Sequence, residues 1–247
     1  SLLGVLPLQT EDGGRELYLH AFLSGSDRAG EGRVLTRAAP VDGMGFYDSF
    51  GVLASVYSGA WDESSCFPDY MYNVMVTKSS SWTTSYYWPG GGRNVRFFAY
   101  APYNWEGIVL SGKDVAGTPT ITCSLPDDVP DQKDLLVAVS GEMPGNTSST
   151  APLNFRHVLT AVRFVTGDDM LPGRITKITL KNVYGKAVYP VGGTSWRDFG
   201  SVKSFSQTPD KEVSGQPGEE ITGGVTTFMM IPQHLPAGAS IEIAYTD

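Results

Sequence analysis

The residues between 131 and 165 constrain the fold more than any other part of the chain. An unbroken apolar run occupies 135–139, between an acidic turn and the chain breakers Gly141 and Pro144. A run of this length matches a buried β-strand and is too short for an ordinary helix. We therefore expect 135–139 to be a core strand with both faces covered.

The segment that follows this run has the alternating pattern of a half-covered strand. Leu153 and Phe155 share one face with His157, while the residues between them are polar. Both faces become apolar from Leu159 onward, which indicates a bulge or a change of sheet near Thr160. A helix with one apolar stripe is the alternative, but the many β-branched and aromatic residues and the missing helix cap favour a strand.

The composition predicts an all-β protein. Of the 247 residues 41% are apolar and 11% aromatic, so a packed core is expected, and 29 glycines with 16 prolines suit short strands joined by turns. Other alternating or apolar segments predict further strands, at 16–24, 46–57, 72–77, 82–87, 95–100, 120–124, 175–181, 225–231 and 241–245. In the last of these, Ile241, Ile243 and Tyr245 are expected to face inward. The Gly- and Pro-rich residues 185–224 are expected to form turns and long loops.

Charge and hydropathy exclude several partners. The net charge is −8 and lysines and arginines do not cluster, so no nucleic-acid partner is expected. No apolar run approaches the roughly 20 residues that a membrane-spanning helix needs. Cys66 and Cys123 match no metal or redox spacing, and separate buried thiols are favoured over a disulfide between them.

The sequence contains no pattern typical of an enzyme, a metal site or a cofactor site. The three histidines are far apart, and Gly90 to Gly92 lack the lysine of a phosphate-binding loop. His157 is expected to be a structural histidine. Asp127, Asp128 and Asp131 could hold calcium, but a solvated turn is the favoured interpretation. No catalytic residue, metal ligand or cofactor is predicted.

Aromatic residues in and around a loop suggest a carbohydrate contact. Tyr103 and Trp105 follow Pro102, and such rings offer flat faces for stacking on a sugar. Core packing is an equally good explanation for this pair. A secreted carbohydrate-binding module that does not polymerise is therefore the alternative function, with Tyr103 and Trp105 as its candidate glycan contacts.

The order of several short motifs resembles the fimbrillin-like proteins, the type V pilins and their relatives on the surface of Gram-negative bacteria. An Asp-Leu-Leu-x-Ala strand, a polar loop and Leu-x-Phe-x-His-x-Leu-x-x-Val-x-Phe are similar to the junction between the two domains of that family. The matching motifs elsewhere are Thr36-Arg37-Ala38, Phe50-Gly51-Val52, Trp82 with Tyr87-Trp88-Pro89, residues 95–102 and residues 228–233. The resemblance implies two tandem antiparallel β-sandwich domains of the transthyretin-like type, at residues 1–150 and 151–247.

The resemblance also implies a function and a way of assembly. Fimbrillin-like proteins are exported as lipoproteins, so an outer-membrane lipid anchor on the precursor and a cell-surface location are expected. An arginine-specific protease removes the first strand, and a strand of another fimbrial subunit then fills the groove. Processing is expected between Arg37 and Ala38, with the displaced strand carrying Leu17, Leu19, Ala21 and Leu23. A fimbrial subunit or tip protein that contributes to adhesion, with a host glycan or protein as a further partner, is the predicted function.

The resemblance fails at one place. Family members continue past the strand that matches 241–245 with a hairpin and an extended strand, whereas this sequence stops at Asp247. The expectation is either a trimmed chain or a subunit that sits at a fibre end.

Overall fold

The structure, a computed structural model, describes residues 16–23, 47–78, 82–146 and 150–247. It is almost entirely β, with 51% of residues in strands and 3% in helix. The strands are β1 (Glu16–Leu23), β2 (Ser49–Tyr57), β3 (Met71–Lys78), β4 (Trp82–Tyr87), β5 (Asn94–Ala101), β6 (Ile108–Leu110), β7 (Thr120–Ser124), β8 (Leu136–Pro144), β9 (Ala151–His157), β10 (Thr160–Val162), β11 (Gly173–Pro190), β12 (Arg197–Gln207), β13 (Lys211–Val213), β14 (Phe228–Met230) and β15 (Ser240–Thr246). Short 3₁₀ turns occupy Val129–Asp131 and Gly224–Thr226. The all-β prediction is confirmed.

Seven strands close into a barrel in the order β1-β4-β3-β2-β5-β8-β9. β3 and β4, which are neighbours along the chain, pair antiparallel through Thr77 with Thr83 and Lys78 with Trp82. Neighbouring strands in the barrel run antiparallel except for β1 and β9, which are parallel. β1 therefore closes the ring, with an antiparallel pairing to β4 on one side and a parallel pairing to β9 on the other.

The remaining strands are organised around β11. This strand spans 18 residues and belongs to a sheet with the order β12-β11-β7-β6. β13 and β15 also pair with β11. β10 leaves the barrel and pairs with β14 instead, through partners such as Ala161 and Met229. The change of sheet that was predicted near Thr160 is confirmed.

The apolar runs are buried on both faces because the barrel wall packs against this second sheet. In β5, Phe97 and Ala99 belong to the core inside the barrel, while Phe98 and Tyr100 belong to a second core that includes residues of β7, β11 and β12. β8 divides in the same way, and every residue of 135–138 is buried. The prediction that 135–139 is a core strand with both faces covered is confirmed for these residues.

Two expectations about the second half of the chain are wrong. Residues 185–224 are not only turns and loops, since they contain the end of β11 together with β12 and β13. Their strands were hidden because β12 is mostly exposed and carries polar residues on both faces. The last strand does not face inward either, because Ile241 is 57% exposed and Ile243 is 50% exposed.

Strand pairing crosses residue 150 in both directions. β9 belongs to the barrel although it begins at Ala151, and β6 and β7 pair into the sheet of β11 although they precede residue 150. The division into domains 1–150 and 151–247 stays a prediction. No helix among the described residues has both the length and the apolar character that a membrane span requires.

Candidate functional site

The barrel position held by β1 is the candidate functional site. Its backbone is in parallel register with β9 over five pairs, which include Leu19 with Ala151, Ala21 with Leu153 and Leu23 with Phe155. Toward β4 only the pairs Glu16 with Tyr87 and Tyr18 with Thr83 are in register, with an irregularity between them that contains Leu17. All four residues of the predicted displaced strand therefore lie in the strand that closes the barrel.

Three of the five register partners of β1 on β9 are core residues. Ala151, Leu153 and Phe155 each have no exposed surface. The Phe155 ring packs edge-on against Phe50 with their centroids 5.2 Å apart. Because these side chains lie in the barrel core beside β1, removal of β1 would uncover an apolar groove bounded by the free edges of β4 and β9.

An exposed histidine at the end of β9 pairs with a buried aspartate that lies just before β8. His157 Nδ1 lies 2.8 Å from Oδ2 of Asp134, whose side chain has no exposed surface. The Tyr47 hydroxyl donates to the backbone oxygen of Asp134 over 2.8 Å. The hydrogen bond with Asp134 raises the pKa of His157, although burial opposes this, and burial raises the pKa of Tyr47 above its usual range. The prediction of a structural histidine is consistent with these contacts, while Tyr47 and Asp134 were not recognised from the sequence because their partners are distant along the chain.

The candidate glycan contacts are mostly enclosed. Trp105 is 6% exposed and belongs to the second core, and a Cβ on Gly107 would come within 2.6 Å of its ring. Tyr103 is half-buried, and its hydroxyl donates to the backbone oxygen of Asn73 over 3.3 Å. In this structure the Trp105 ring therefore has no face open for stacking on a sugar. The glycan contact at this pair stays a prediction.

The other predicted positions are placed as follows. The processing position at Arg37 and Ala38 lies outside the described residues. Cys66 and Cys123 are both buried free thiols, and burial raises the pKa of Cys123 to about 12. Within the described residues, no three His, Cys, Asp or Glu side chains lie close enough together to hold a metal ion. Asp127 instead pairs with Lys203 over 2.9 Å.

Solved structures define the class of protein to which this fold belongs. A fimbrial protein from Bacteroides vulgatus superposes with a TM-score of 0.66 at 24% identity, over 79% of this chain and 76% of that one. A putative cell adhesion protein from Bacteroides uniformis superposes with a TM-score of 0.55 at 18% identity, over 95% and 80%. The fold is therefore that of bacterial fimbrial and adhesion proteins of this kind.

The sequence establishes the family. The fimbrillin-like family model matches residues 36–247, and the chain belongs to that family, whose members are structural proteins and not enzymes. It is 30% identical over 194 residues to the fimbrium subunit Fim1C of Phocaeicola vulgatus, a match that covers 64% of this chain and 50% of the relative. The chain thus spans about half the length of the curated relative that it matches.

Proposed function

We propose that this protein is a structural subunit of a cell-surface fimbria, and that it joins its neighbours by exchange of β1. One observation carries the proposal. β1 closes the barrel, and three of its five parallel register partners on β9, Ala151, Leu153 and Phe155, are fully buried apolar residues. The family and the fimbrial relatives support a role in such a fibre.

The pairing of β1 is suited to replacement by another strand. Parallel pairs are slightly less stable per residue than antiparallel ones, and five of the register pairs of β1 are parallel. The antiparallel contact with β4 has only two register pairs and is irregular. A strand from a neighbour with the same apolar alternation would supply main-chain hydrogen bonds to both edges and bury the same groove.

Release of β1 requires a cut in the chain that follows it. Arg37 followed by Ala38 is the proposed position, and an arginine-specific protease is the proposed partner. A lipid anchor on the precursor at the outer membrane, and a contribution of the assembled fibre to adhesion, complete the proposal. These parts depend on the family resemblance of the sequence.

The experiment treats the folded chain with an arginine-specific protease. We expect one main product whose N-terminal sequence begins at Ala38, and loss of the fragment that contains β1. The cut protein, and not the intact one, should then bind a fluorescent synthetic peptide of residues 16–24. It should also form multimers when other fimbrial subunits that carry a donor strand are added. Fluorescence anisotropy and size-exclusion chromatography measure these two results.

Two variants separate the steps. Arg37→Gln should block both cleavage and peptide binding, while the matched variant Arg33→Gln should behave as the wild type. Cleavage at another arginine would show that Arg37 is the wrong position. A cut protein that releases β1 and still binds no peptide would refute strand exchange itself.

A further inference from the structure

A cavity lies where the barrel meets the sheet of β11, and none of its lining residues belongs to β1 or β9. Its volume is about 410 Å³, which lies within the range of small-molecule sites. The residues that line it come from the loop after β2, from β5, from the start of β7 and from the turn between β11 and β12: Glu63, Arg96, Thr118, Thr120, Pro190, Gly192, Gly193 and Arg197. Most of this lining is polar, so the cavity differs from an ordinary packing defect between two apolar cores.

The guanidinium of Arg96 lies against two aromatic rings, and one of its nitrogens has no hydrogen-bond partner. Its guanidinium stacks 5.0 Å from the centre of the Trp61 ring and 5.3 Å from that of Phe98. Its Nε is buried and has no hydrogen-bond partner. The aromatic rings fix the guanidinium plane in advance, which lowers the entropy lost on binding.

The acidic groups beside Arg96 are occupied by other donors. Glu63 accepts from the backbone and hydroxyl of Thr118, each over 2.6 Å, and from the Trp61 indole over 2.8 Å. Glu142, the register partner of Arg96 on β8, accepts from the Tyr57 hydroxyl and from the Trp61 backbone. Among the described residues neither carboxylate forms an ion pair with Arg96 within 4 Å. Burial raises the pKa of Glu63, but the hydrogen bonds from Thr118 and Trp61 and the charge of Arg96 together lower it, so this carboxylate stays ionised at the rim of the cavity.

Arg197 supplies a second guanidinium to the cavity. Its side chain is 57% exposed, and the nearest carboxylate is that of the adjacent Asp198 at 3.8 Å, itself 67% exposed. A pair this exposed is weak and exchanges readily for another anion. Gly192, with φ of +101°, turns the chain between the two strands, so the wall beside Arg197 includes backbone.

We propose that this cavity binds an acidic monosaccharide such as a uronic acid. Arg96 and Arg197 would hold the carboxylate, because the planar guanidinium matches a carboxylate with two parallel hydrogen bonds. The hydroxyls of Thr118 and Thr120 and the backbone of the turn at Gly192 would meet the ring hydroxyls. β1, β4 and β9 contribute none of its lining residues, although Arg156 of β9 donates a hydrogen bond to the backbone oxygen of Gly193.

The test is titration of the full chain with three small probes. Binding is measured from the NMR chemical-shift changes of the backbone amides. D-glucuronate should bind with a dissociation constant on the order of 1 mM, the affinity expected for a ligand of this size, and should shift the amides at Gly192 and Gly193. D-glucose lacks the carboxylate and acetate lacks the ring, so each should bind at least about tenfold more weakly. Equal binding of glucose would refute the role of the carboxylate, and equal binding of acetate would refute the sugar.

Variants then assign the binding to the two arginines. Arg197→Gln should weaken glucuronate binding about tenfold without affecting the fold, because its side chain is exposed. Arg96→Gln should weaken it by at least as much, provided that circular dichroism shows an unchanged β spectrum. Arg163→Gln, an exposed arginine outside the cavity, is the matched control and should bind as the wild type. Undiminished binding by Arg197→Gln, or shifts confined to residues outside the cavity, would overturn the proposal.

Discussion

Replacement of His157 by alanine tests how the junction between β8 and β9 is held. The ring bonds to Asp134 over 2.8 Å, and it is 38% exposed whereas the carboxylate is fully enclosed. A hydrogen bond to a charged group contributes about 1.5–3 kcal/mol, and solvent screening at a site this exposed lowers the expected loss to about 1–2 kcal/mol. The variant should therefore unfold at a lower urea concentration.

The loss should depend on pH in a defined direction. The hydrogen bond with Asp134 raises the pKa of His157, so the folded chain holds the ring proton more tightly than the unfolded chain does. The stabilisation is then fully present below the pKa of an unfolded histidine, about 6.5, and is lost as the pH rises through the higher folded value. His157→Ala should consequently cost more stability at about pH 5.5 than at about pH 9.

The assay is urea unfolding at both pH values, monitored by tryptophan fluorescence. His234→Ala is the control, because His234 is exposed, and it should change the unfolding free energy by less than about 0.5 kcal/mol at either pH. If His157→Ala loses equal stability at both pH values, the charged pair makes no contribution and the ring acts only by packing. A greater loss at the higher pH would refute the sign of the argument.

Three further predictions concern the core. Phe155→Ala should cost about 3–5 kcal/mol in urea unfolding because the ring is fully buried, while Val109→Ala, 68% exposed, should cost less than about 0.5 kcal/mol. Gly51→Ala should lower the melting temperature and cost about 1–3 kcal/mol, because its Cβ would lie 2.3 Å from a tyrosine ring atom; a fully stable variant would contradict the close approach. Titration with a thiol reagent in denaturant should find both Cys66 and Cys123 reactive without prior reduction, and the native protein should react slowly; a missing thiol would indicate a disulfide.

Patterns of apolar residues predicted the barrel better than the sheet around β11. The runs at 50–57, 95–101 and 135–139 are apolar on both faces, and each of these strands separates the two cores. A nearly continuous apolar run identifies such strands because both sets of side chains are buried. The polar strand β12 has few buried residues, and its place beside β11 depends on long-range pairing that a local pattern does not encode.

The candidate site was predicted in part. The alternation at 16–24 located β1, but its parallel pairing with β9 follows from the closure of the barrel, which sequence periodicity does not contain. The cavity at Arg96 was missed for a similar reason. Arg96 and Arg197 are distant in sequence, and only the packing of the barrel on the second sheet brings them to one cavity. Each arginine alone looks like an ordinary polar residue at or near a strand end.

The two cores explain how a barrel could lose one strand and remain folded, as the proposed exchange requires. Removal of β1 uncovers the apolar side of β9, but β2, β5 and β8 are also held from outside the barrel by the second core. In β8, Leu136 and Ala138 fill the barrel while Val137, together with Leu135 just before the strand, packs outside it. Full burial of a leucine or valine side chain contributes roughly 1.5–3 kcal/mol to the stability of the fold. The contacts of β2, β5 and β8 outside the barrel therefore persist when β1 leaves, and these three strands keep that part of the barrel wall in place for a replacement strand.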